Sequence, residues 1–211
     1  VSQFVASYIP GRTIVIHNAF EDARFFSDGF TDRVFDFGFC GRLVSEKGVS
    51  ILLEAFADMC RNERRLRLAI MGDGPERASL EEQARAKGIE ENVTFTGSKD
   101  SEGVANMMRS CRVLVVPSVY EEPFGIVALE GLSSGCRVVV TRKGGLPEAV
   151  GAFGIVVDAT PESLRVGMSS ALSDCDHPVQ DQSGLRRYLT SRRSEIVGRH
   201  YERVVNLVAK K

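Results

Sequence analysis

The chain has 211 residues, enough for one domain with a sizeable core and short appendages. Its 27 Lys and Arg nearly balance 28 Asp and Glu, so a net charge of -1 provides no global field to draw it to nucleic acid or an anionic membrane. Five cysteines form no CxxC pair and no run approaches the ~20 apolar residues of a membrane span, which predicts buried thiols, a reducing compartment and no spanning helix.

The N-terminus VSQFVASYIPGR has no long apolar run after a basic start, so it is not read as a signal peptide. An intracellular, soluble protein is expected. Residues 1–33 carry one short apolar piece at 13–17 and then a polar segment. Residues 34–42 (VFDFGFCGR) read as a strand, and 46–60 as a helix with Val49, Leu52, Leu53 and Phe56 at helical spacing. Residues 66–72 form the next strand, broken by Gly72-Asp73-Gly74-Pro75, with Pro75 suited to a first helical turn and Gly88 to its end. Further strands are predicted at 93–97, 112–117, 137–141 and 154–158. Helices are predicted at 102–111, at 124–134, after Thr160-Pro161 with Leu164, Met168 and Leu172 on one face, and at 195–211 with Val197, Tyr201, Val204, Val205 and Val208 in a stripe.

Continuous apolar strands alternating with helices imply a parallel sheet covered on both faces. The expected fold is α/β, doubly wound and Rossmann-like, with about six strands. Ligands in such sheets bind outside the carboxyl ends of the strands. The informative loops therefore follow Gly41, Gly72, Gly97, Pro117, Thr141 and Asp158.

Glu130 is the single charge in an otherwise apolar or small helix that reads as buried on all sides. A carboxylate there needs a partner. An internal ion pair, a solvent-facing window and a ligand contact all satisfy that need. Gly125, with the amides of Gly125, Ile126 and Val127, makes a helix start suited to an anion or a sugar hydroxyl. Arg42 and Lys47 flank the first strand–helix loop; two cations beside a helix start suit a diphosphate, although on residue type alone they read as solvated surface charges. That loop is neither GxGxxG nor a P-loop, which argues against an oxidoreductase or an epimerase. Gly144-Gly145-Leu146-Pro147-Glu148 reads as a flexible turn on the same rim. Asp174-Cys175-Asp176 lies far from that rim, and His17, His177 and His200 have no ligand spacing, so no metal site is expected.

Taken in order, GRLVSEKG at 41–48, GDGP at 72–75, VTFTG at 93–97, PSVYEEPFGIVALEGLSSG at 117–135 and GGLPE at 144–148 resemble glycosyltransferase family 4, retaining enzymes of the GT-B fold. Glu122, seven intervening residues and Glu130 reproduce the two-glutamate motif of that superfamily. HNAFED at 17–22 matches more loosely. The resemblance implies the C-terminal, nucleotide-sugar-binding half of a GT-B enzyme. Residues 1–33 would be the end of a missing N-terminal acceptor domain and its linker, 34–190 the donor domain, and 191–211 a crossover helix.

It further implies that Arg42 and Lys47 hold the donor diphosphate and take up charge on the departing nucleotide. Glu130 would bind the ribose hydroxyls and Glu122 the donor sugar hydroxyls. Phe124, Gly125, Ile126 and Val127 would complete the pocket beside Gly41, with Ser98 and Lys99 near the base. The substrate is an NDP-sugar of unspecified nucleotide carrying a hexose, and no cofactor or metal is implied. A cytoplasmic enzyme is expected, with room for peripheral membrane association of the full-length protein. The domain alone would transfer sugar poorly; the rival reading is a non-catalytic nucleotide-sugar-binding module.

Overall fold

The structure, a computed structural model, describes residues 2–27, 29, 32–63, 65–175, 177 and 180–209. Elements follow one another as α1 (Gln3–Ala6), β1 (Phe35–Cys40), a 3-10 turn (Ser45–Lys47), α2 (Val49–Cys60), β2 (Leu68–Met71), α3 (Arg77–Ala86), β3 (Val93–Gly97) and α4 (Ser101–Arg109). Then come β4 (Cys111–Val116), α5 (Ile126–Ser133), β5 (Arg137–Thr141), α6 (Leu146–Val150), a second 3-10 turn (Gly151–Phe153), β6 (Ile155–Val157), α7 (Pro161–Asp174), α8 (Gln182–Thr190) and α9 (Ser194–Ala209).

The six strands form one parallel sheet in the order β3-β2-β1-β4-β5-β6. Alternate residues of each strand serve opposite faces. Phe37, Phe39, Val113, Val115 and Val139 pack with Leu52, Leu53 and Phe56 of α2 and Leu164, Met168 and Ala171 of α7. Their neighbours Leu114, Val116, Val138 and Val140 pack with Met108 of α4, Ala128, Leu129 and Leu132 of α5, and Leu146, Ala149 and Val150 of α6. Burial on both faces explains why the strands read as unbroken apolar runs, the doubly wound arrangement predicted above.

Four local expectations are corrected. The helix expected at 46–60 is split at Gly48, whose left-handed backbone ends the 3-10 turn before α2 begins. Cys111 opens β4 and does not close α4. The segment 144–148 is not a flexible turn: α6 starts at Leu146 because Leu146, Ala149 and Val150 are all fully buried. Nor is α5 buried on all sides, since Ile126 is 36% exposed and Glu130 lies one turn further along the same open face. No prediction was made for α8, which is mostly polar and packs through Leu185, Tyr188 and Leu189.

The N-terminal residues lie against this domain. Phe20 and Phe25 are buried in the second core layer, and Phe20 bridges to Arg193 at the start of α9. Beyond Val197 the predicted stripe of α9 is largely open, with Tyr201 and Val205 at least half exposed. The side chain of Val208 and residues 210 and 211 lie outside the described residues. Among the described residues, no helix is long and apolar enough to cross a membrane.

Candidate functional site

Strand order reverses between β1 and β4: the chain leaves β1 for α2 on one face and leaves β4 for α5 on the other. Diverging connections open a crevice at the carboxyl ends of these two strands. Its loops touch backbone to backbone. A Cβ on Gly48 would lie 2.0 Å from the Pro117 carbonyl oxygen, and one on Gly72 would lie 1.9 Å from that of Gly41. Cross-loop bonds tie the same segments, with Val119 N–H donating to Glu46 O at 2.9 Å and Leu43 N–H to Asp73 O at 2.9 Å.

This zipping brings Lys47, after β1, to Glu122, after β4. Lys47 Nζ lies 2.5 Å from Glu122 Oε1. Ser118 Oγ donates to the same oxygen at 2.6 Å, and Tyr120 OH donates to Oε2 at 3.2 Å. The ammonium also sits 5.4 Å from the Tyr120 ring centre. Glu122 is only 8% exposed, so these three donors offset the cost of burying its charge. The arrangement holds an ammonium and a carboxylate at the mouth of a hollow of about 240 Å3, lined also by Asn18, Cys40 and Phe124 to Val127.

The start of α5 forms one wall of that hollow. Gly125 is its N-cap and offers no side chain to the first amides. By contrast α4, α7 and α8 are capped by Asp100, Thr160 and Asp181. The uncapped N–H groups and the helix dipole favour an anion or an oxygen acceptor. One turn along, the Glu130 carboxyl finds no hydrogen-bond or ion-pair partner among the described residues. Burial, and then the charge of Glu21, push its pKa up to about 7. Of the readings open for Glu130, the internal ion pair is excluded. The neighbouring Cys40 thiol is pushed up to about 12 by burial and by Glu130, so it stays neutral.

A second hollow of about 300 Å3 lies on the far side of Cys40, lined by Gly41, Arg42, Met71, Gly72, Asp73, Ser98, Lys99 and Val104. All of the predicted residues but Glu130 fall into two connected groups; Glu130 lines neither hollow and lies beside Cys40, which lines both. Lys47, Glu122, Phe124, Gly125, Ile126 and Val127 share one hollow; Gly41, Arg42, Ser98 and Lys99 share the other. Arg42 and Lys47, paired in the sequence reading, face different hollows. Phe124 contributes as a wall, since it is fully buried. Contributors missed include Asn18, which lines the first hollow and lies in the loosely matched 17–22 segment. Ser118 and Tyr120 carry no charge to mark them, Cys40 reads as core, and His17 and Glu148 meet across 131 positions of sequence. Asp174 lies at the opposite end of the sheet, where its carbonyl oxygen meets Arg137, and Asp176 is outside the described residues.

The fold and crevice define a Rossmann-like α/β protein with a polar ligand cleft at its switch point. The chain belongs to the Glycosyl transferases group 1 family, whose sequence profile matches residues 21–183. An uncharacterised glycosyltransferase of Methanocaldococcus jannaschii is 34% identical over 166 residues, covering 77% of this chain and 40% of that protein. The D-inositol 3-phosphate glycosyltransferase of Corynebacterium diphtheriae is 37% identical over 155 residues, covering 70% and 36%. The chain thus spans about two fifths or less of these relatives. Among solved structures, sucrose-phosphate synthase from Thermosynechococcus elongatus superposes with a TM-score of 0.81 at 24% identity, covering all of this chain and 58% of the other. Anabaena Alr3699/HepE in complex with UDP gives 0.78 at 22%, covering 94% and 57%. These likenesses establish the fold, a Rossmann-like domain of the GT-B type.

Proposed function

We propose that this chain is the donor-binding domain of a retaining glycosyltransferase that moves a hexose from a nucleoside diphosphate sugar to an acceptor. The observation that carries the reading is the convergence at one crevice of the Lys47–Glu122 pair, the uncapped start of α5 and the partnerless Glu130. Known structures of this fold bear UDP, and UDP with glucose, which supports a nucleoside diphosphate sugar as donor. In this reading the bond between the anomeric carbon and the diphosphate oxygen breaks, an acceptor hydroxyl oxygen bonds to that carbon, and the nucleoside diphosphate leaves with the hydroxyl's proton. Arg42 and Lys47 take up the charge that develops on it. Glu122 holds Lys47 in place and accepts from donor sugar hydroxyls. Glu130 accepts from the ribose, and Ser98 and Lys99 approach the base. Cations placed where charge develops lower a barrier by several kcal/mol, so loss of Lys47 costs roughly a hundredfold or more in transfer rate.

An N-terminal acceptor domain of the same protein would complete the cleft. The half-exposed Tyr201 and Val205 of α9 offer it an apolar seat. Five free thiols fit a reducing, cytoplasmic compartment. Family 4 and its retaining outcome follow from the motif pattern, which group 1 membership accommodates.

A thermal-shift panel of UDP, GDP, ADP and their sugars tests the reading. One nucleotide is expected to raise the melting temperature of the wild type, and Lys47→Ala and Glu130→Ala are each expected to abolish the shift. A shift that persists in both variants overturns the site assignment.

A further inference from the structure

The two ends of the segment 2–20 are attached beside the donor hollow, which Asn18 lines. Ser2 Oγ donates to Pro123 O at 2.5 Å, on the loop between Glu122 and α5. Glu148 of α6 takes two partners from the same segment. Its Oε2 accepts from Gln3 N–H at 2.8 Å, and its Oε1 meets His17 Nε2 at 2.5 Å. The His17 ring lies against Phe124, with centroids 5.8 Å apart. Glu148 is itself steadied, because Tyr188 OH donates to its carbonyl oxygen at 2.7 Å and to that of Ala149 at 3.0 Å.

Three residues past His17, the segment is fixed again. Phe20 is buried, its N–H donates to Arg192 O at 3.2 Å, and Ser194 Oγ donates to Phe20 O at 3.2 Å. Asn18 lies between the two anchors and lines the hollow with Lys47, Glu122 and Phe124. A carboxamide offers two donors and an acceptor, a set that suits phosphate oxygens and sugar hydroxyls alike.

We propose that Glu148 is a positioning residue for the donor: it pins His17 against Phe124 and so holds Asn18 against the sugar diphosphate beside Lys47 and Glu122. The inference rests on the donor-binding reading above and adds a wall to it. The segment leading into the domain supplies a contact, and a glutamate that touches no substrate sets where that contact falls. Groups held by rigid neighbours bind without first losing conformational freedom, which is the advantage the anchor confers.

The test is a double-mutant cycle on the 211-residue chain. Wild type, Asn18→Ala, Glu148→Ala and the double variant are titrated calorimetrically with UDP-glucose, GDP-mannose and ADP-glucose and with the matching nucleoside monophosphates. For the nucleotide sugar that binds, each single variant is expected to lose roughly tenfold in affinity, the size of one or two lost hydrogen bonds. The double variant is expected to lose no more than Asn18→Ala alone, and monophosphate binding to stay unchanged. His17→Ala should reproduce Glu148→Ala without touching α6, which covers the case in which Glu148→Ala fails to fold. Losses that add in the double variant, or single variants that bind like wild type, overturn the positioning role and leave the donor-binding reading standing. Failure of the wild type to bind any of the probes overturns both.

Discussion

At the carboxyl end of the sheet, Arg42 and Lys99 line the crevice, and Glu130 lies one turn into α5 beside Cys40, all three side chains with no hydrogen-bond or ion-pair partner among the described residues. At the amino end three arginines are engaged. Arg33 donates to the carbonyls of Cys111 and Gly135, Arg137 donates to Asp174 O at 2.8 Å, and Arg112 lies 3.6 Å from Asp36. Helix orientation explains the contrast. In a doubly wound sheet the helix starts gather at the carboxyl end and the helix ends at the amino end, where arginines satisfy the last carbonyls. The amino end even holds the larger hollow, about 490 Å3 between the end of α2 and the turn before β3. Volume and the switch point thus single out different ends of the sheet.

The sharpest way to break the comparison is through glycines with left-handed backbones at the two ends. At the carboxyl end, a Cβ on Gly72 would meet the Gly41 carbonyl oxygen at 1.9 Å, and neither loop can retreat without parting. Gly72→Ala is expected to cost at least about 3 kcal/mol in urea unfolding and to abolish nucleotide binding. At the amino end, Gly88 has nothing within 4 Å. Gly88→Ala should cost only the local backbone penalty, about 1 kcal/mol, and leave binding intact. Equal costs at the two positions would show that the carboxyl-end loops are not held as tightly as their contacts indicate.

The same contrast decides what could be read in the sequence. The central strands were legible because both faces are buried, so Arg137–Thr141 emerges as an apolar run with the observed bounds. The charged residues of the candidate site stand out in the sequence because Glu130 is alone in an apolar helix and because Lys47 and Glu122 carry a family pattern. α6 was not legible, because Gly144-Gly145 signals a turn and masks three buried residues behind it. Ser118 and Tyr120 were not, because a hydroxyl becomes informative only when a carboxylate lies opposite. The His17–Glu148 contact joins residues 131 positions apart, and no local window contains it.

A smaller effect sharpens the role of Glu130. Its pKa is raised from 4.5 to about 7, so the folded state binds a proton more tightly than the unfolded chain. Between those values the native state holds more protons than the unfolded state, and stability must fall as pH rises. Burial therefore costs nothing at low pH and its full amount above about pH 7, on the order of 1–3 kcal/mol for a group that keeps some solvent contact. Glu130→Gln is expected to remove that slope and to be the more stable protein at pH 8. Nucleotide affinity should move the opposite way, rising through pH 7 as the carboxylate forms and can accept from ribose hydroxyls. Urea titrations and calorimetry across pH 5–9 check both signs; an affinity that falls with pH would mean Glu130 binds as a neutral acid.

The smallest expected effect lies at the amino end and tests the division from the other side. Arg137 is partly exposed and donates to Asp174 O at the end of α7, so its charge meets the negative end of that helix. Arg137→Ala should lose that contact and the one to the His177 carbonyl oxygen, together about 1 kcal/mol or less because solvent already screens the guanidinium. β5, which Arg137 opens, also carries the loop leading to α6 and Glu148 at its other end. A cap that acts only locally leaves that distant loop in place, and nucleotide affinity is then expected to stay within about twofold of wild type. A larger loss of affinity in Arg137→Ala, at unchanged fold by circular dichroism, would show that the two ends of the sheet are coupled through β5 and that the amino-end arginines serve more than the helix ends they cap.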